Sequence, residues 1–253
     1  IIYEQPTNEI IRLLMKLEYL LSKYKFHYSQ TSIWNIKEAI NTLFEFTELS
    51  SRNNIKLILL KEISLSKDLL VKLKQKGYID ENTFKKYNLI LSEQENKIHQ
   101  LKDNIFSKIL ENEFILSIKN KVYFPAGDNF FDLPSYLNFL TFNKNKIYTS
   151  LDMMFDNYPV INNTISAILE LKRRSSSFEE YVAVDGFYEI NYDRNQSLEI
   201  IRIKMDKDMN VYPIVSLNNR KISILFKTLS SQDLISKKIS IDVSFSYSCI
   251  FKF

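Results

Sequence analysis

Few residues in this chain have the type and spacing for covalent or metal chemistry. His27 and His99 are its only histidines, and they stand far apart without cysteine or carboxylate companions at ligand spacing. With one cysteine besides, a zinc site is not expected. Cys249 alternates with serines in a period-two stretch, so it reads as a small core residue and not a nucleophile. "DKDMN", Asp206 to Asn210, imitates the start of a calcium loop, but Val211 stands where the loop needs glycine and Leu217 where it needs a closing glutamate. It reads as a turn with capping carboxylates. Glycine-rich phosphate loops, paired-histidine metal motifs and nucleophile elbows are absent from the sequence.

"FPAGDNFFDLPSYLNFL", residues 124–140, holds one of the three glycines, two prolines and two aspartates. Asp128 and Asp132 could form an acid–base pair, but no partner base or nucleophile lies near them in sequence. A lone glycine is also too little for a phosphate cradle. The stretch is predicted to be a turn at Pro125–Asp128, with Phe130 and Phe131 in a core and Pro134 opening a helix. It would act as a hinge.

What remains is positive charge. The net charge is only +4, so a basic site must come from local clustering. Residues 200–240 carry eight basic side chains against three acidic ones: Arg202, Lys204, Lys207, Arg220, Lys221, Lys227, Lys237 and Lys238. Two readings stand. The lysines deter edge aggregation on a solvated sheet face, or they form one cationic face for an acidic peptide or a nucleic acid.

The elements that must position these residues change character along the chain. The first half has helical periodicity. Residues 8–25 space Ile10, Leu13, Leu14, Leu17, Leu20 and Leu21 on one face, after an N-cap at Thr7 or Asn8, with Arg12 and Lys16 opposite. A helix over about 32–50 would bury Ile33, Ile36, Ile40, Leu43 and Phe44, and one over about 54–76 would stop at Gly77. The next begins near Asp80 with a heptad-like stripe from Phe84 to Ile105, suited to a helical hairpin or to a second subunit. Short helices over 134–142, 148–157 and 159–173 lead into a polar linker at 172–180. The last seventy residues then switch to period two. Ile201, Ile203 and Met205 point inward, as do Ile222, Ile224 and Phe226. A long strand would run from Ile239 to Cys249, with Pro213 at an edge or bulge. The class is α+β: a helical domain over 1–123, then an antiparallel β-strand domain of four or five strands with short helices over 124–253, which the extreme N-terminus is free to join. No apolar run approaches a membrane span. The opening decapeptide has no secretion signal, so the chain reads as soluble and intracellular.

Three blocks then carry a resemblance. "YEQPTNEIIRLLMKLEYL" (3–20), "PAGDNFFDLPSYLNFL" (125–140), and "DGFYEI" (185–190) with "LEIIRIKMDKDMNVYPIVS" (198–216) resemble, in order and spacing, the signatures of the ZapD family of bacterial division proteins; "LLKEI" (59–63) adds a fourth anchor. The resemblance covers nearly the whole chain. It implies a cytoplasmic, non-catalytic factor at mid-cell that works without a cofactor. The implied activity is binding the C-terminal tail peptide of the tubulin-like FtsZ and, as a homodimer, cross-linking its filaments. Basic side chains would hold the peptide's acidic groups, and apolar neighbours its hydrophobic ones.

Carried over by position, the basic residues are Lys16, Arg52, Arg202 and Lys221, then Arg12, Lys56 and Arg173; Lys204 joins them on the sheet. Glu113 and Leu225 stand where the family pattern has further basic residues, with Arg220 beside Lys221 as compensation. Neither membrane insertion nor nucleic acid is expected as a partner. The alternative function is a nucleic-acid-binding module on the same basic sheet face; outward aromatics for base stacking are few there.

Overall fold

The computed structural model describes residues 1–30, 32–102, 105–193, 196–218, 221–230 and 233–252. The helices are α1 (Glu9–Tyr28), α2 (Ile33–Ser51), α3 (Ile55–Gln75), α4 (Glu81–Gln100), α5 (Ser107–Leu110), α6 (Glu113–Val122), α7 (Pro134–Leu140), α8 (Lys144–Met154) and α9 (Tyr158–Arg174). The strands are β1 (Ile2–Pro6), β2 (Glu179–Ala183), β3 (Phe187–Asn191), β4 (Leu198–Lys204), β5 (Val211–Leu217), β6 (Lys221–Leu229), β7 (Ser236–Lys238) and β8 (Val243–Phe251). The class is α+β, as the two periodicities predict. The chain divides into two compact units, residues 1–13 with 170–253, and residues 14–169. A boundary at 123/124 therefore falls inside the second unit.

The helices begin where short polar side chains can take a free backbone N–H. Asn8, Ser32, Asn54, Asp80, Asn112 and Asn143 each accept from the residue three positions on. Pro134 opens α7, where its missing N–H costs nothing. Gly77 closes α3 at φ +72°, a left-handed stop that other residues adopt with strain. α1 buries Ile11, Leu13, Leu14, Leu17, Leu20, Leu21 and Tyr24, while Ile10 and, on α2, Ile33 are exposed. The heptad-like stripe serves the chain itself. Tyr87, Leu91, Gln94 and Ile98 of α4 are buried, and α4 packs against α3. The cross-links Lys56–Leu101, Lys67–Glu95 and Lys74–Glu81 fall in antiparallel order, and α4 ends at Gln100 before the stripe does.

The stretch 124–140 is a strap within the helical unit. A Cβ at Gly127 would lie 1.9 Å from the Lys121 carbonyl oxygen, so the chain approaches itself too closely there for any side chain. The Asp128 carboxylate lies 2.6 Å from the buried Lys37 ammonium of α2, which also donates to the Asp128 carbonyl at 3.1 Å. That ammonium sits 5.0 Å from the Trp34 ring and 5.1 Å from Phe130. Asp132 is held by Asn129, whose side-chain oxygen accepts from the Asp132 N–H at 2.7 Å. Both aspartates thus have structural partners. Phe130 is half-buried against Lys37, but Phe131 is 87% exposed and not in the core expected for it.

In the other unit the expected single sheet is two. Sheet A has the order β1-β4-β8-β2; sheet B has β3-β6-β5, with β7 also pairing β6. Their inner faces share one core. Ile201, Ile203, Val243 and Phe245 of sheet A meet Ile222, Ile224 and Phe226 of sheet B, with the Phe226 and Phe245 rings 5.0 Å apart. Each such side chain contributes about 1.5–3 kcal/mol on burial. Cys249 packs against this core, and burial pushes its thiol up to about 11, too high for a nucleophile at neutral pH. The long last strand starts at Val243; Ile241 is exposed in the segment before it. Pro213 lies in β5, the outermost strand of sheet B, where a missing N–H is tolerated.

Gly127→Ala is expected to destabilise the helical unit by more than ~2 kcal/mol, because the clash is with backbone and cannot be relieved by a rotamer change. Urea unfolding followed by far-UV circular dichroism measures this; a midpoint equal to that of the parent would refute the close approach.

Candidate functional site

The nine cations singled out from the sequence separate by unit. In the strand-rich unit, three arginines converge on β1. Arg202 on β4 stands directly across from Glu4 on β1 and donates from Nε to its carboxylate at 2.8 Å. Arg173, from the last turn of α9, grips the same carboxylate through Nε at 3.0 Å and Nη2 at 2.7 Å. Arg202 also donates to the Arg173 carbonyl, and its guanidinium lies 4.8 Å from the centre of the Phe178 ring. Arg12, in the first turn of α1, donates to the Pro6 carbonyl at 3.2 Å. Burial alone would push the Glu4 carboxyl up, but Arg173 and then Arg202 outweigh it and hold it below the usual carboxylate range.

Beside this cluster lies a second pair. Lys172 donates to Glu199 at 2.6 Å, and the two side chains are only 5% and 4% exposed. Both pairs sit on the face of sheet A turned away from sheet B. That face was expected to be wet at Arg202. It is covered there by the end of α9, so the arginine is an internal group. Lys204, two residues further along β4, is exposed and borders an open cavity of about 540 Å³ with Glu180, Ser244 and Ser246.

Lys221 belongs to sheet B. It is exposed on β6 and pairs at 2.6 Å with Glu189 of β3. The expectation of one cationic sheet face is therefore corrected. Arg202 and Lys204 lie on the outer face of sheet A, Lys221 and Lys227 on the outer face of sheet B, and the shared core separates them. Period two assigns a residue to a face correctly, but it does not say which strands share a sheet. Arg220 lies outside the described residues.

The helical unit holds the other three. Lys16 is exposed on α1. Arg52 caps the end of α2, is exposed and is engaged by Glu48 one turn back. Lys56 donates to the Leu101 carbonyl at 2.6 Å. Glu113 is exposed in the first turn of α6.

One feature escaped the sequence reading. On the outer face of sheet B, Phe187, Leu225 and Ile214 are register partners across three strands. Phe187 and Ile214 are 44% and 41% exposed. In the next rung of that face, Lys227 stands directly opposite Lys238 of β7. The only sequence signal was that Leu225 occupies an outward position in β6.

The geometry offers exposed cations and exposed apolar side chains. Among the described residues no group of three or more His, Cys, Asp or Glu could hold a metal ion, and no helix is long and apolar enough to cross a membrane. A family model described as a cell division protein, ZapD, matches residues 15–225. The chain belongs to the ZapD family of cell division proteins. Two proteins named Cell division protein ZapD, from Coxiella burnetii strains RSA 331 and RSA 493, are each 25% identical to it over 250 residues, covering 98% of this chain and 97% of theirs. Similarity over this length covers both units.

Two outcomes follow from the ion pairs. Lys172→Met or Glu199→Leu alone is expected to cost roughly 3–5 kcal/mol by stranding a buried charge, and the double variant much less. A double-mutant cycle in urea that shows additive losses would refute a coupled pair. The Glu4 carboxyl has a lowered pKa when folded, so its contribution is present above the ordinary Glu range near ~4.3 and is lost as pH falls through the folded value. Glu4→Gln should therefore be less stable than the parent by roughly 2 kcal/mol at pH 7, with the gap closing as pH falls below that range. A gap that is constant with pH would show that Glu4 does not act through its charge.

Proposed function

We propose that this chain binds the C-terminal tail peptide of FtsZ and, as a homodimer, cross-links FtsZ filaments at the cytoplasmic division site, with no catalytic step and no cofactor. Membership of a cell-division family carries the reading. The surface chemistry supports it, since a tail with acidic and apolar groups needs exposed cations next to exposed apolar side chains. Lys221, Lys204, Lys16 and Arg52 are exposed, and each by itself is a candidate contact for a tail carboxylate. Their carboxylate neighbours, where they have them, are themselves partly exposed, and a solvated pair of that kind is worth at most ~1 kcal/mol, so a peptide carboxylate can displace it. Arg173 and Arg202 would act one step back, holding β1 in place, and Arg12 and Lys56 likewise hold backbone carbonyls.

A weak single contact suffices for such a function. Neighbouring tails on a filament raise the local concentration for the second site of a dimer, so avidity exceeds the affinity of either site. The contacts are charged and solvent-accessible, so added salt should weaken them.

The test is sedimentation of GTP-assembled FtsZ filaments with this protein, using full-length FtsZ and a form without its terminal peptide. Tail-dependent co-sedimentation with bundling is expected, falling as salt rises. Lys221→Glu should weaken tail binding roughly two- to fivefold at low salt while leaving the unfolding midpoint unchanged. Equal sedimentation with both forms of FtsZ, or none with either, would refute the proposal. A labelled oligonucleotide at matched salt tests the nucleic-acid alternative, and tight binding to it would favour that reading.

A further inference from the structure

We infer that the strap of the helical unit docks on an anionic lipid surface, with the rings of Trp34, Phe124 and Phe131 dipping into the headgroup layer and Lys25, Lys119 and Lys121 meeting the lipid phosphates. The inference goes beyond tail binding and does not depend on it. It needs no spanning segment, because a contact of this kind lies on a membrane and does not cross it.

The strap is held rigidly, yet it shows its largest side chains to water. Ala126 is kept at φ +53°, a left-handed backbone that a residue with a Cβ adopts under strain. Gly127 backs onto the Lys121 carbonyl, and successive turns bond Gly127 to Phe124, Asn129 to Ala126 and Leu133 to Asn129. Asp128 is fastened to Lys37 of α2, and the Tyr123 hydroxyl donates at 2.9 Å to Glu48, about three turns further along that helix. A segment tied down at so many points could have buried its rings. Instead Phe131 and Phe124 are 87% and 64% exposed, and Trp34, which lies against the Lys37 ammonium, is 72% exposed. Strain and close approach are spent on presenting these rings.

The surrounding charge selects the occupant. Lys119 and Lys121 end α6 where the strap begins. Lys25 stands two residues before His27, whose ring meets Asn35, the neighbour of Trp34, at 2.7 Å. None of the three lysines has a carboxylate partner among the described residues. Of the carboxylates beside the strap, Asp128 is neutralised by Lys37 and Glu48 by Arg52, which leaves Asp132 as the opposing charge. Rings that stand this far out of a surface do not line a groove for a peptide. A second copy would bring the same lysines face to face across a self-complementary contact. The headgroup layer of a bilayer is soft enough to close round projecting rings. Aromatic side chains favour that depth, and an anionic leaflet attracts the lysines beside them.

Trp34 is the only tryptophan in the chain, so intrinsic fluorescence reads the contact directly. The full chain is titrated with vesicles of phosphatidylglycerol and phosphatidylcholine in equal parts, and with vesicles of phosphatidylcholine alone, and bound protein is measured by sedimentation. A blue shift of the Trp34 emission and co-sedimentation are expected with the anionic vesicles only, and added salt should reverse both. Phe131→Ser and K119E/K121E should each weaken partitioning by roughly tenfold or more. Both variants should keep the parent's unfolding midpoint, since Phe131 is almost fully exposed and the lysines hold no ion pair. The proposal is overturned by no shift and no sedimentation, by equal binding to neutral vesicles, or by a Phe131→Ser variant that binds as the parent does. A blue shift that grows with protein concentration in the absence of lipid would place a second copy on the strap and overturn it as well.

Discussion

The carboxylate of Glu4 is the point on which the strand-rich unit closes. It lies in a five-residue strand at the edge of sheet A, and two guanidiniums hold it, one from the end of α9 and one from β4. These residues are 169 and 198 positions away in the chain. Bringing such distant groups together costs loop-closure entropy that grows only slowly with length, so a few strong contacts suffice to hold the closure. The carboxylate makes charge-assisted bonds to both arginines, which are roughly twice as strong as neutral hydrogen bonds. With β1 fixed, Arg202 is enclosed by Phe178 and the α9 terminus, and the neighbouring Lys172–Glu199 pair is sealed from water. The helical unit uses the same device at Lys37 and Asp128, where a buried lysine paired with a half-buried aspartate ties the strap to α2.

Much of this fold was legible in the sequence, and the failures have physical reasons. Period two assigned Ile201, Ile203, Ile222, Ile224 and Phe226 to the core because one buried face dictates alternation, and all five are buried. It could not divide the strands between two sheets, since β4 and β6 alternate alike and meet in a common core. β1 and β3 were missed because "IYEQP" and "FYEIN" are short, and their polar residues point outward or into ion pairs. The heptad-like stripe showed that α4 packs on something. Only the structure shows that α3 is the partner.

The candidate site was harder to read, and again for a definite reason. Composition counts charges but not their partners. Arg202 and Lys204 look equivalent in sequence, two residues apart on the same face of one strand. One is enclosed with Glu4 and the other is exposed to solvent. The difference lies in a glutamate near the start of the chain and in where α9 stops. The apolar row on sheet B was invisible for the opposite reason. Phe187, Leu225 and Ile214 come from three separate segments, and each alone is an ordinary exposed hydrophobic residue. They become a surface only through register.

A division of labour among the cations follows. Arginine's planar fork suits it to multi-point grip on a fixed carboxylate, and Arg173 and Arg202 are spent that way. Lysine presents a mobile, strongly hydrated point charge, and the exposed sheet cations Lys204, Lys221 and Lys238 are all lysines. Fixed arginines make a rigid frame, and solvated lysines make a surface that a disordered peptide can reach, exchange on and leave. Such exchange would suit the cross-linking role proposed above, in which strength would come from the number of contacts and not from the tightness of any one.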